Sequence, residues 1–298
     1  MATNVRWKVS FSASCIHLVA SMRSGLPLVN TDLVALLSDP AEALWNELQC
    51  SGGSVDRPLR LLQAFASEEE NNQRLAELVL VKMLGRDSVS QTVVHRLAGR
   101  LSDLEAAVLR TRPQMVEELA VRGGPLRSQW DTLGSGLLKQ IGRLTDVTVV
   151  PDAVEVVIVT PCVGGFGAAH WQQGRVTFEG VLANPHDDLP EVLRLLWLIS
   201  QLNLSLPKFS EVLQPGRMPL VASLAMIPPV LAAAEVMGLA GYDRQMLRQT
   251  CKAWHFDSSM STSGLDCLHQ WWSTVASTQT AWPVALAALD QMLAAECL

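Results

Sequence analysis

Charge is scarce in this chain, and what there is lies scattered. Asp, Glu, Lys and Arg make up 17% of the 298 residues, and 23 basic against 29 acidic side chains leave a formal charge of -6. No cluster of Lys and Arg is present to neutralise grouped phosphates, so no nucleic-acid partner is expected. The six cysteines (Cys15, Cys50, Cys162, Cys251, Cys267 and Cys297) contain no CxxC pair. Thiols spaced in this way suit a reducing cytoplasm without disulfides, and a cytoplasmic location is expected. No GK[ST] follows a glycine loop, which excludes a P-loop. Long apolar runs are almost missing as well. Met218 to Gly241 carries only Glu235 as a charge, but Pro228 and Pro229 split it into two segments that suit buried core helices, so no membrane span is expected. Residues 5–22 have two early cations and a mildly apolar run, the outline of a signal peptide. Ser, His and Cys interrupt that run, and export is not expected.

What is present is a chain that is 49% hydrophobic, far from the composition of a disordered protein and long enough to bury a substantial core. The expected fold class is α+β, predominantly helical: a helical domain over 1–144 and an α+β domain over 145–298, with a small sheet at about 147–182. In the first part the periodicity predicts short helices at Thr31–Leu37, Asp39–Gln49, Arg57–Ala66, Ser88–Arg100, Ser102–Arg110, Pro113–Val121 and Pro125–Leu144. Another helix, running to Leu84, would start at the capping box Ser67/Glu70. Gly99, Pro113 and Gly123-Gly124 read as breaks. No fixed repeat period joins these helices.

The stretch from Thr145 to Asn203 is different. Val147–Val150 and Val154–Thr160 are rich in β-branched residues and separated by the turn residues Pro151 and Asp152. Arg175–Leu182 alternates as a third strand, with Val176 and Phe178 on one face and Thr177 and Glu179 on the other, returning on the second strand as a hairpin. Asp188, Pro190 and Glu191 then read as the start of a helix whose stripe is Leu189, Leu193, Leu196, Trp197 and Ser200, with Arg194 and Gln201 off it. Three amphipathic helices, Tyr242–His255, Gly264–Ser277 and Pro283–Glu296, complete the chain.

Four groups of residues offer chemistry. Cys162 and His170 flank a loop with Gly164, Gly165 and Gly167, where a thiolate, a base and free backbone N–H groups would make a nucleophilic site. His186, Asp187 and Asp188 could offer metal ligands, but capping explains Asp188 better. Cys251 and His255 lie one helical turn apart, with Asp266, Cys267 and His269 soon after, the ligand types of a tetrahedral zinc site without a standard zinc spacing. Nine tryptophans stand against one tyrosine. Trp254, Trp271, Trp272 and Trp282 could line a groove for a ligand, and adjacent Trp271 and Trp272 cannot both face one core equally, so one of them would mark a subunit contact.

Strand, glycine loop, strand and apolar helix in that order resemble the layout leading to the active helix of zincin metalloproteases. That family carries HExxH on the helix, two histidines for zinc and a glutamate for water activation. Here the corresponding residues are Trp197, Leu198, Ile199, Ser200 and Gln201. The resemblance therefore implies a scaffold without the peptidase metal motif, and no functional residue is carried over from it.

The expected function is that of a non-catalytic interaction or scaffold protein, with an unidentified protein partner or a second copy of itself and no cofactor. The alternative is a hydrolase-like or ligand-binding enzyme centred on Cys162, the glycine loop and His170. A degenerate zincin-like scaffold is the third reading.

Overall fold

The computed structural model describes residues 3–29, 31–256 and 262–296. Four strands, β1 (Asn4–Val9), β2 (Ala153–Val159), β3 (Gly167–His170) and β4 (Arg175–Glu179), form one small sheet. Between β1 and β2 run helices α1 (Phe11–Ser24), α2 (Thr31–Gly52), α3 (Asp56–Phe65), α4 (Asn72–Leu84), α5 (Gln91–Thr111) and α6 (Met115–Leu144). After β4 come α7 (Glu191–Gln201), α8 (Pro207–Ser210), α9 (Met218–Ala225), α10 (Ile227–Val236), α11 (Arg244–Ala253), α12 (Thr262–Thr278) and α13 (Trp282–Glu296). The fold is α+β and predominantly helical, as the composition of its segments predicts.

The sheet order is β1-β2-β4-β3. β1 pairs with β2 in parallel (Trp7 opposite Val156), β2 with β4 in parallel (Glu155 opposite Arg175), and β3 with β4 antiparallel (Gly167 opposite Phe178). The expected hairpin between the second and third strands is therefore replaced by a parallel pair, and the hairpin partner of β4 is β3, a four-residue strand from the glycine-rich segment. β1 was not foreseen either. Its residues lie in a segment of weak alternation, and it joins the sheet of the C-terminal part although it lies 144 residues before β2 begins. Val147–Val149 is a 3-10 turn rather than a strand, because the Asp146 side chain accepts a hydrogen bond from the Thr148 N–H and caps it.

Both faces of the sheet are covered. On one face of β4, Val176 and Phe178 are fully buried, and α7 packs against β3 and β4 while α6 packs against β1 and β2. On the other face Arg175, Thr177 and Glu179 are buried too, under α1 and the end of α3. Arg175 is held there by Glu155, by Glu68 and by the Ala64 carbonyl. The partition of β4 into an apolar and a polar face is the one its alternation predicts.

Several expected breaks are absent. α2 continues through Pro40, α5 through Gly99, and α6 through Gly123, Gly124 and Pro125. In each case the buried stripe runs on across the breaker, for example Leu33, Leu37, Ala41, Leu44 and Leu48 in α2, and packing outweighs local propensity. Gly123 has a second reason to be there. A Cβ at this position would lie 3.2 Å from Cγ1 of Ile158, so its absence lets α6 close on β2. The expected box at Ser67/Glu70 is replaced by a cap at Asn71, whose side chain accepts from the Arg74 N–H.

The apolar stretch Met218–Val236 is long and apolar enough to cross a membrane, but 67% of its most apolar window is buried inside the protein. It is divided between α9 and α10, which pack on α6, α7, α11 and α13. Pro228 and Pro229 fall at the start of α10, where proline is tolerated.

Candidate functional site

β1, β2 and β4 run in parallel, so their carboxyl ends lie on one side of the sheet, where loops and helix starts gather. Glu179 is the last residue of β4 and is fully buried there. The loop after β2 folds over it. The backbone N–H groups of Cys162 and Val163 donate to Oε1 at 3.0 and 2.9 Å, and those of Gly164 and Gly165 donate to Oε2 at 2.8 Å each. His17 of α1 brings Nε2 to 2.8 Å from Oε1, and the Cys162 thiol lies 3.1 Å from the same oxygen. Four successive amides can converge on one carboxylate because Gly164 and Gly165 have φ of 94° and 120°, angles that Cβ-bearing residues rarely adopt. Burial alone would raise the pKa of Glu179. The hydrogen bonds from His17 and the amides outweigh it and hold the carboxylate well below its usual range.

This arrangement decides what the glycine loop can do. Its N–H groups, the donors an oxyanion hole needs, are turned inward onto Glu179 and are occupied. Cys162 is buried, and its Sγ lies 3.1 Å from both Glu179 Oε1 and Ser21 Oγ. Burial and then the neighbouring Glu179 charge push the thiol pKa up, away from the thiolate a nucleophile requires. His170 does not share this site. It pairs across the sheet with Arg175, at the opposite end of β4, where Nε2 meets Thr177 Oγ1 at 3.2 Å. Burial, with Arg175 and His17 adding to it, lowers its pKa to about 4. Gly167 lies in β3, where a Cβ would stand 2.6 Å from both the Thr177 carbonyl and Leu198, so it serves close packing.

Among the described residues, His17, Cys162 and Glu179 form a group whose ligand atoms lie within 4.8 Å of one another. Oε1 of Glu179 already receives His17, two amides and the thiol. A cation there would face the positive ends of those N–H dipoles, so the donor set fits a held anion better than a metal. Cys251, His255, Cys267 and His269 form no such group among the described residues. The His269 ring meets the Tyr242 hydroxyl at 3.2 Å, while the His255 ring lies against Phe166, 6.1 Å between centroids. Cys251 and Cys267 are buried, and Cys297 lies outside the described residues.

Trp271 and Trp272 are both buried, against the expectation that one would stand free. α12 is covered on two sides, by α11 and α13. Trp271 donates to the Ala285 carbonyl and packs against Trp282. Neither ring offers a surface for a partner.

The residues that sequence reasoning passed over are Glu191 and Arg194. All eleven residues of α7 are buried, so the helix has no solvent face for Arg194 and Gln201 to occupy. Asp188 is exposed and does not cap it; Asn184 Oδ1 accepts the Glu191 N–H instead. Arg194 Nη2 reaches the Ala253 carbonyl at 3.2 Å and Glu191 Oε1 at 3.3 Å. Nε and Nη1 of Arg194 and Oε2 of Glu191 are buried with no hydrogen-bond partner among the described residues. Burial raises the pKa of Glu191; Arg194 offsets this in part, and the charge of Glu179 adds to it. The one sequence signal was two opposite charges three apart in an otherwise apolar helix. Arg194, but not Glu191, also lines a cavity of about 630 Å³, together with Gly164 and Gly165, Pro185–Leu189, and residues of α11 and its end, including Met246, Lys252 and His255.

No protein-family model matches the chain, and neither do any curated protein or solved structure.

Proposed function

We propose that this protein acts by binding rather than by turnover, as a non-catalytic interaction protein of the cytoplasm whose partner is another protein or a second copy of itself. The observation that carries this reading is the use of the glycine loop. Its four amides and its cysteine all serve one internal carboxylate, which leaves neither a free oxyanion hole nor an activated nucleophile. The cytoplasmic part of the reading rests on six cysteines spaced without a CxxC pair, and the absence of a nucleic-acid partner on the sparse, scattered cations.

Alkylation of the native protein with iodoacetamide, read by peptide mass spectrometry, tests the reading. Buried, protonated Cys162 should label far more slowly than exposed Cys50. Faster labelling of Cys162 than of Cys50 at neutral pH would overturn it.

The ligand-binding half of the alternative has its own support, because the cavity opens beside Gly164 and Gly165. The zincin-like scaffold keeps a place as well, since β3, β4 and α7 follow one another and α7 packs on both strands. Trp197 in that helix donates to the Ser223 carbonyl and packs against Trp254, which is a packing role.

A further inference from the structure

We propose that β1 is a docking strand, whose free edge takes up an acidic, extended peptide segment of a partner protein as a further strand of the sheet. This rests on the reading of the protein as a binder, and names the surface and the kind of partner.

β1 is an outer strand in the order β1-β2-β4-β3 and has six residues, against four in the other edge strand, β3. α7 packs on β3, whereas β1 is held by β2 on one side and by α6 over one face. Asn4 donates to the Asp152 carbonyl at 2.8 Å, and the parallel register with β2 is unbroken from Asn4 to Val9. The N–H and C=O of a strand residue point to the same side and alternate along the chain, so Asn4, Arg6 and Lys8 make the ladder to β2. The backbone groups of Val5 and Trp7 point the other way, and among the described residues nothing pairs with them. Unpaired donors and acceptors at this spacing are matched by another extended backbone.

The side chains say which backbone. Val5, Trp7 and Val9 stand opposite Val154, Val156 and Ile158 on the apolar face under α6, and Trp7 is left half-buried where an added strand would cover it. Arg6 and Lys8 lie on the opposite face. Arg6 is exposed and, among the described residues, has no ion-pair partner. Glu155 opposite it is engaged by Arg175, as is Glu68. Lys8 reaches the neutral Ser67 carbonyl, which leaves its charge uncompensated. A strand that alternates β-branched with acidic residues would therefore lay the first set beside Trp7 and the second beside Arg6 and Lys8. A second copy fits worse. Two-fold antiparallel pairing centred on Arg6 or on Trp7 sets cation against cation across the seam, and like charges directly opposite destabilise a pair.

The test is fluorescence polarisation of a fluorescein-labelled heptapeptide, Thr-Val-Glu-Val-Glu-Val-Thr, with the full-length protein raised to about 1 mM, enough to half-saturate a site with a Kd near 1 mM. The peptide should bind, and its analogue with Lys in place of both Glu should bind roughly 5-fold more weakly or worse. Arg6→Glu, at an exposed position, should reverse that preference. Val5→Pro removes an outward N–H and none of the ladder bonds to β2, so binding should be lost while circular dichroism shows the fold intact. Should Val5→Pro unfold the chain, the Arg6→Glu reversal decides alone. The proposal is overturned if the Glu peptide does not bind, if the Lys peptide binds equally well, or if a folded Val5→Pro keeps its affinity. It is also overturned, in favour of a second copy on this edge, if sedimentation shows a dimer that Val5→Pro dissociates. None of these outcomes bears on Cys162 labelling, so the binding reading and the docking strand fail separately.

Discussion

Glu179 and Glu191 are both fully buried glutamates near the carboxyl end of the same strand, and their surroundings could hardly differ more. Glu179 has four amides, an imidazole and a thiol around two oxygens. Glu191 has one arginine nitrogen at 3.3 Å and, among the described residues, an oxygen with no hydrogen-bond partner. The environment pulls one pKa down and pushes the other up. A carboxylate satisfied on all sides is a fastening, since it ties the loop after β2 to β4 and α1. A carboxylate left half satisfied fastens little.

The largest effect that would sharpen this contrast is expected from Glu179→Ala. Four amides and His17 would lose their acceptor in a dry place, and stability should fall by about 3–5 kcal/mol, read by urea denaturation. A loss below about 1 kcal/mol would mean that the loop does not depend on the carboxylate.

Gly165→Ala should come next. It forces a Cβ-bearing residue to φ of 120° and sets that Cβ 3.0 Å from Pro185 Cγ and against the Glu191–Arg194 pair, for a loss of about 1–3 kcal/mol. Unchanged urea midpoints would show that the loop can move aside.

The pH dependence separates the groups by sign. Glu179 is depressed in the fold, so its contribution is present above the ordinary carboxylate value of 4.5 and fades as pH falls below it. His170 is also depressed, from 6.5 to about 4, so the unfolded chain takes up a proton first and stability declines as pH falls through that window. Glu191 is raised, so its burial opposes folding above 4.5 and is relieved as pH falls. Urea midpoints from pH 7 to pH 3 should therefore decline in two stages. His170→Gln should flatten the stage between 6.5 and 4 and leave the lower one.

The smallest change is expected from replacing the incomplete pair as a whole, with Glu191→Leu and Arg194→Met together. Exchanging a poorly satisfied buried ion pair for apolar side chains of similar size is often neutral or stabilising, so the midpoint should stay within about 1 kcal/mol or rise. A large loss would place this pair beside Glu179 as a fastening and remove the contrast.

Much of the architecture is legible in the residues. The β-branched run at β2, the two-faced alternation of β4 and the core stripes of the helices all come from periods of two and 3.6. What is not legible depends on tertiary neighbours. β1 reads weakly because an edge strand carries less pattern. β3 is hidden by Gly167, Ala168 and Ala169, small residues chosen for what presses on them from α7 rather than for strand propensity. Of the site, the glycine loop is visible in the sequence, but its purpose is not, since nothing in Cys162 or His170 announces that Glu179 is the group the amides serve. Arg194 lies off the apolar stripe of its helix, a position that in most amphipathic helices faces water, but α7 has no such face.

The pairing of β1 with β2 also has a consequence in time. Asn4 meets Ala153, and Thr3 donates to the Pro151 carbonyl, so the first strand made must wait for the 153rd residue and beyond. At ordinary synthesis rates that interval is roughly 10–30 s, during which α2 to α6 can assemble among themselves while β1 has no partner. The seam between β1 and β2 thus stays open until β2 emerges, and up to that point β1 offers an unpaired strand edge.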